Sequence, residues 1–248
     1  MKNLIIQPYG LGDHIICNAL IRHICDNNNE FFIAVKSSHI KSVEFMFKDI
    51  RNLKCIEVDN CGQNPMPISE EGRLLFRECA KIIISHDLFL QKYPELFFDE
   101  IYYKSFGMNL SDKWDKFYIK RDKDAEQKLF DSLKINSDYI LLHEDNRFHM
   151  SDRIWDKNIL SISINPKLTD NVFDYLTLIE NAKEIHCIES FFLFLTDTTK
   201  TKAKLFSHRY SRNYEKFATP NLRLDWKILT EQPIPTRRST GLYYHRQA

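Results

Sequence analysis

Short apolar runs separated by amphipathic stretches set the rhythm of this chain. Runs over 3–7, 31–35, 53–58 and 79–85 read as strands. Between the first two, Ile15, Ile16, Ala19, Leu20 and Ile24 recur at helical spacing, with Asp13 placed as the N-cap. Residues 39–47 suit a second helix. Residues 87–120 are rich in aromatics and read mostly as helix and loop. The charged segment 121–138, RDKDAEQKLFDSLKINSD, keeps Leu129, Phe130 and Leu133 to one side. It reads as an exposed helix and as the boundary between two units.

The same rhythm then restarts. Strands are expected over 139–143, 160–164, 184–188 and 202–206, and helices over 172–182 and 190–197. The last residues, TEQPIPTRRSTGLYYHRQA, have no clear period and read as a tail. Alternating strands and helices imply parallel sheets covered by helices. The expected architecture is α/β, with units at 1–121 and 122–229, a tail at 230–248, and a cleft between the units. A single continuous sheet is the competing arrangement.

Composition narrows the partners. Across 248 residues, 35 Lys and Arg nearly balance 34 Asp and Glu, so charge gives no sign of a nucleic-acid or membrane-surface partner. No stretch approaches the roughly 20 apolar residues that span a bilayer, and the start, MKNLIIQ, is too short in its apolar part for a secretory signal. The six cysteines form no CxxC pair, which fits buried thiols in a reducing, cytoplasmic setting. Histidine spacing offers no HxxxH or HExxH, and no GxSxG occurs, so neither a metal centre nor a serine nucleophile is expected.

The chemistry concentrates in PYGLGDHIICNALI, where Gly10, Gly12 and Asp13 stand between a strand and a helix. A dinucleotide fingerprint would need a small residue at position 15, which is Ile15, and an acidic end to the second strand, which ends at Lys36. No GxxxxGK[ST] phosphate loop occurs either. What remains is a turn that lets a ligand approach its backbone and presents a carboxylate. Asp13 could accept a hydroxyl's hydrogen bond and serve as a general base. An ordinary helix cap, worth about 1 kcal/mol, is the plainer alternative. Two polar loops also follow strands: HEDNRF with Arg147 (Arg153 behind it), and SHRYSR with His208, Arg209 and Arg212. Both could line a diphosphate site, or simply be solvated surface. His186 and Cys187 alternate in one strand, His186 toward the cleft and Cys187 toward the core.

GLGDHIICNALIRHI resembles the opening of the ADP-heptose:lipopolysaccharide heptosyltransferase-like glycosyltransferases, which have the two-lobed GT-B fold. NVFDYLTLIENAKEIHCIESFFLFLTD resembles their C-terminal segment, in which a strand leads to an acidic-Ser turn and a helix. The resemblance implies Asp13 as the base that activates an acceptor hydroxyl, with Gly10, Gly12 and His14 forming the acceptor-side turn. It implies that the Glu189–Ser190 turn contributes to the donor nucleotide side, to which the polar residues at neighbouring strand ends add His143, Arg147, His186, His208, Arg209 and Arg212 as candidates. Phe191 and Phe194 stand where the family usually has a glycine and a histidine. The implied activity is metal-independent, inverting transfer from a nucleotide sugar to a glycan or lipid-linked glycan, without a cofactor. The chain is shorter than typical members of that family, and a partner subunit or a homodimer could supply the missing length. An inactive nucleotide-sugar-binding relative and a Mg²⁺-dependent nucleotide-using transferase are the alternatives.

Overall fold

The structure, a computed structural model, describes residues 1–7, 10–59, 65–85, 92–145, 159–164, 167–209 and 220–230. β1 (Lys2–Ile6) leads to α1 (Leu11–Ile16) and α2 (Asn18–Ile24). β2 (Glu30–Lys36) is followed by a 3-10 turn at Ser37–His39 and by α3 (Ile40–Phe47). β3 (Leu53–Val58), α4 (Glu70–Glu78) and β4 (Ala80–Ile83) complete the first sheet, whose order is β3-β2-β1-β4 with every pairing parallel. α5 (Phe98–Ser105) and α6 (Asp112–Asp115) follow.

The second sheet begins after α7 (Lys123–Ser132). It comprises β5 (Tyr139–His143), β6 (Leu160–Ser163), β7 (Glu184–Ile188), β8 (Lys204–Arg209) and β9 (Trp226–Thr230). α8 (Leu176–Asn181), entered through a 3-10 turn at Val172–Tyr175, precedes β7, and α9 (Phe191–Asp197) follows it. The order is β6-β5-β7-β8-β9, again wholly parallel. The described strands therefore form two sheets; the continuous sheet is not found.

Each sheet has a reversal. The chain steps outward from β1 through β2 to β3, then returns to the far side of β1 as β4. It steps from β5 to β6, then returns as β7 on the other flank of β5. Such reversals open crevices at the carboxyl ends of parallel strands, where α/β proteins bind ligands.

One apolar core runs through both sheets, from Ile5, Ile33 and Tyr103 to Leu141, Ile185 and Trp226. A smaller cluster of Leu4, Ile6, Phe32, Ile56 and Cys79 lies on the other face of the first sheet, covered by Leu75 and Phe76 of α4. Two buried polar clamps bind the segment before β9. Asp99, 0% exposed, pairs with Lys113 at 2.8 Å and accepts from both the backbone and the side-chain amide of Asn221 at 3.0 Å. Asp197, 1% exposed, accepts from the indoles of Trp114 (2.8 Å) and Trp226 (2.9 Å) and from the Leu224 amide (3.0 Å).

Three expectations change. The single helix expected behind an Asp13 cap is two, broken at Cys17, and its cap stands three residues earlier, at Gly10. α7 is not wholly exposed: Leu129 is buried, and Glu126 is enclosed by Arg121 and by the Thr177 hydroxyl at 2.7 Å. β9 occupies a stretch to which the apolar pattern assigned no strand. The tail lies outside the described residues from 231 onward; its first residue, Thr230, closes β9. Among the described cysteines, Cys17, Cys25, Cys55, Cys79 and Cys187 are free thiols.

Candidate active site

The turn after β1 is built around Gly10, the N-cap of α1, whose backbone is extended (φ −86°, ψ −174°). Its carbonyl accepts the amides of Asp13 at 3.1 Å and His14 at 3.4 Å. Because Gly10 takes those first helical bonds, Asp13 sits inside the first turn and is not the cap. Its half-buried carboxylate accepts a hydrogen bond from the Tyr102 hydroxyl at 3.4 Å (Oδ1).

Gly12 has a packing reason to lack a side chain. A Cβ there would lie 2.8 Å from the Phe194 ring and 3.4 Å from the Phe191 backbone, so α9 occupies the space. Gly10 has nothing within 4 Å of a Cβ. His14 is 1% exposed, and neither ring nitrogen has a hydrogen-bond partner among the described residues. Burial first, and then the neighbouring His39 imidazole, push its pKa down to about 3. His14 is thus a neutral, interior imidazole.

At the second reversal, β5 ends on His143 and β7 leads through Glu189 and Ser190 into α9. Ser190 caps that helix, its Oγ accepting the Phe192 amide at 3.2 Å. The same oxygen lies 3.0 Å from His143 Nδ1. The His143 ring stacks on Phe192 (5.2 Å, 13°) and meets Phe191 edge-on (5.0 Å, 77°). Burial pulls its pKa down to about 4. Glu189 is engaged by Arg209 at the end of β8, Oε1 to Nε 3.1 Å.

His186 and His208 are brought together elsewhere. Neighbours on β7 and β8, they are buried and linked Nδ1 to Nε2 at 3.0 Å, with Phe206 stacked on His186 at 4.3 Å. Burial, then the His208 neighbour, lowers His186 to about 3. Cys187, on the opposite face, is core. Arg147, Arg153 and Arg212 lie outside the described residues.

A cavity of about 340 Å³ opens between the sheets. From the first sheet it takes Leu11 after β1 and Ser38 and His39 after β2. From the second it takes His143 and Glu144 at the end of β5, Ile164 after β6 and Phe191 after β7. At the wall Ser42, on α3, bridges the halves, its hydroxyl donating to the Asp170 carbonyl (3.3 Å) and accepting the Val172 amide (3.1 Å). Lys41 pairs with Asp170 beside it.

Of the residues singled out from sequence, His143 lines this cavity, while Asp13, Ser190 and Glu189 stand on the flanking turns. His14, His186 and His208 are interior, and Arg209 stands at the end of β8. Ser38, His39, Ser42, Thr169 and Asp170 were not singled out. Ser38 and His39 had a usable signal, since they directly follow a strand as the glycine turn does. Among the described residues no three of His, Cys, Asp and Glu gather into a metal-holding group, and no helix is long and apolar enough to cross a membrane.

No protein-family model and no curated protein matches the sequence. Solved structures do match its fold. The glycosyl transferase family 9 protein of Veillonella parvula DSM 2008 aligns over 93% of this chain and 86% of its own, at 9% identity and a TM-score of 0.57. ADP-heptose lps heptosyltransferase II of E. coli aligns over 92% and 90%, at 12% identity and a TM-score of 0.54. The resemblance carried by the glycine turn and the 171–197 segment is thus matched at the level of fold: the chain is built like these glycosyltransferase structures across more than nine-tenths of its length.

Proposed function

We propose that the chain is a GT-B-type glycosyltransferase, each sheet forming one Rossmann-like lobe, that moves a sugar from a nucleotide-sugar donor to a hydroxyl acceptor. The observation that carries this reading is the convergence of strand ends: residues after β1, β2, β5, β6 and β7 share one cavity. The fold likeness to the two glycosyltransferase structures supports it.

In this reading the acceptor binds beside the α1 turn. Asp13 takes the proton of its hydroxyl as that oxygen forms a bond to the anomeric carbon. The bond from the anomeric carbon to the diphosphate oxygen breaks, and the nucleoside diphosphate departs with the electron pair. A single in-line displacement inverts the anomeric centre. Arg209 at the end of β8, joined by Arg147 and Arg212 of the segments that follow β5 and β8 in the sequence, stabilises the leaving charge without a metal. His143, neutral and anchored on Ser190, offers the donor a hydrogen-bonding wall and a stacked aromatic base.

A second reading, donor binding without turnover, is favoured by α9. Phe191 and Phe194 make this helix apolar where it meets the cavity and the Asp13 turn. A thermal-shift panel of nucleoside diphosphates and nucleotide sugars in EDTA tests both. A ligand at about 100 times its Kd adds about 2.7 kcal/mol, readily detected. Stabilisation by one base family is expected, and no shift across the panel overturns the metal-free donor site. Donor binding with no transfer to any hydroxyl acceptor selects the second reading.

A further inference from the structure

We propose that Tyr102 is the positioning residue for Asp13, an inference that rests on Asp13 acting as the base. α5 meets α1 through two buried phenols. The Tyr103 hydroxyl donates to the Ile16 carbonyl at 2.8 Å, and the Tyr102 hydroxyl donates to Asp13 Oδ1 at 3.4 Å. Tyr102 is 1% exposed, and its ring is held edge-on by Phe98 at 5.6 Å.

The helix that carries these phenols is fixed. Asp99, in its first turn, is locked by Lys113 and Asn221. α1 is fixed from the other side, where Phe194 fills the space above Gly12. The Tyr102 hydroxyl therefore meets Asp13 Oδ1 from a set position. A base anchored through this oxygen is held to a set orientation at the α1 turn. Donation to Oδ1 also favours the charged, proton-accepting form.

Other groups face the same corner. The Cys17 thiol, one turn on, feels Asp13 together with Asp99 on α5 and Lys113 on α6, and α9 brings the uncharged Phe191 and Phe194 against Gly12. None of these changes when only the Tyr102 oxygen is removed.

The test is a ¹³C-carboxyl NMR titration of aspartate-labelled protein, with the Asp13 signal assigned by its loss in Asp13→Asn. Tyr102→Phe keeps the ring and removes the donor. The Asp13 midpoint is expected to rise by about half a pH unit or more. Tyr103→Phe, which removes a purely structural bond, is expected to lower Tm while leaving that midpoint in place. An unchanged midpoint in folded Tyr102→Phe overturns the proposal. If that variant fails to fold, fluorotyrosine incorporation, which strengthens the phenol as a donor, must lower the midpoint, and no movement overturns the proposal equally. Transfer that survives Asp13→Asn would end the base reading alone, whatever Tyr102 does to the titration.

Discussion

At Gly12 one missing methyl group lets helices from different sheets touch. A Cβ placed 2.8 Å from the Phe194 ring forces that ring, or α9 itself, to move. Gly12→Ala is expected to cost about 1–3 kcal/mol, the usual range for overpacking, read as a lower urea midpoint. Gly10→Ala meets no atom within 4 Å and loses only the glycine preference at an N-cap, a smaller effect. Equal losses at the two positions would contradict this account. The glycine turn itself was legible in the sequence, but its steric reason was not, because Phe194 lies in the other half of the chain.

The buried imidazoles act on stability at the same scale. His14, His143 and His186 take a proton near 6.5 when unfolded, but only at about 3, 4 and 3 in the folded protein. Below about pH 6.5 the unfolded chain therefore binds more protons, and stability falls as pH drops toward the folded values. It is fully present above 6.5. Urea midpoints at pH 7.5, 5.5 and 4.5 should decrease in that order; a flat series would mean the imidazoles are protonated where they stand.

Elements were recovered where a single apolar pattern governs them. β5 and β7 match the sequence reading at both ends because they are central strands buried on both faces. α4 gave no such signal: EEGRLLFRE places only a narrow stripe, Leu75 and Phe76, against the sheet. β9 alternates weakly at an edge, with Trp226 inside and Ile228 38% exposed. The break at Cys17 depends on tertiary partners, the Tyr103 hydroxyl on the Ile16 carbonyl and the Asn18 side chain on the Tyr118 backbone. Local propensity does not encode them. At α9, Ser190 joins two elements, capping the helix and holding His143. Ser190→Ala is expected to lose about 1 kcal/mol from the cap and to weaken binding of whichever nucleoside diphosphate the panel identifies. Unaltered binding would detach His143 from the donor site.

The whole molecule is held together by groups that sequence separation concealed. Asp99, Lys113 and Asn221 meet in the interior, as do Trp114, Asp197 and Trp226. Each set ties the chain before β9 to earlier helices. Lys113→Met would leave Asp99 as a buried, unpaired charge, at an expected cost of about 3–5 kcal/mol. Loss of less than about 1 kcal/mol in a denaturant titration would show that the pair is not interior.

The two-sheet plan followed from the restarting rhythm of strands, whereas the cavity walls at Ser38, Ser42 and Asp170 depended on how the sheets meet. The most direct test of the central claim is release of nucleoside diphosphate from the matched nucleotide sugar, followed in EDTA with a hydroxyl acceptor, for the native chain and Asp13→Asn. Removal of a general base predicts a loss of about 10²–10⁴-fold in turnover, with donor affinity retained. Turnover undiminished in Asp13→Asn would contradict it.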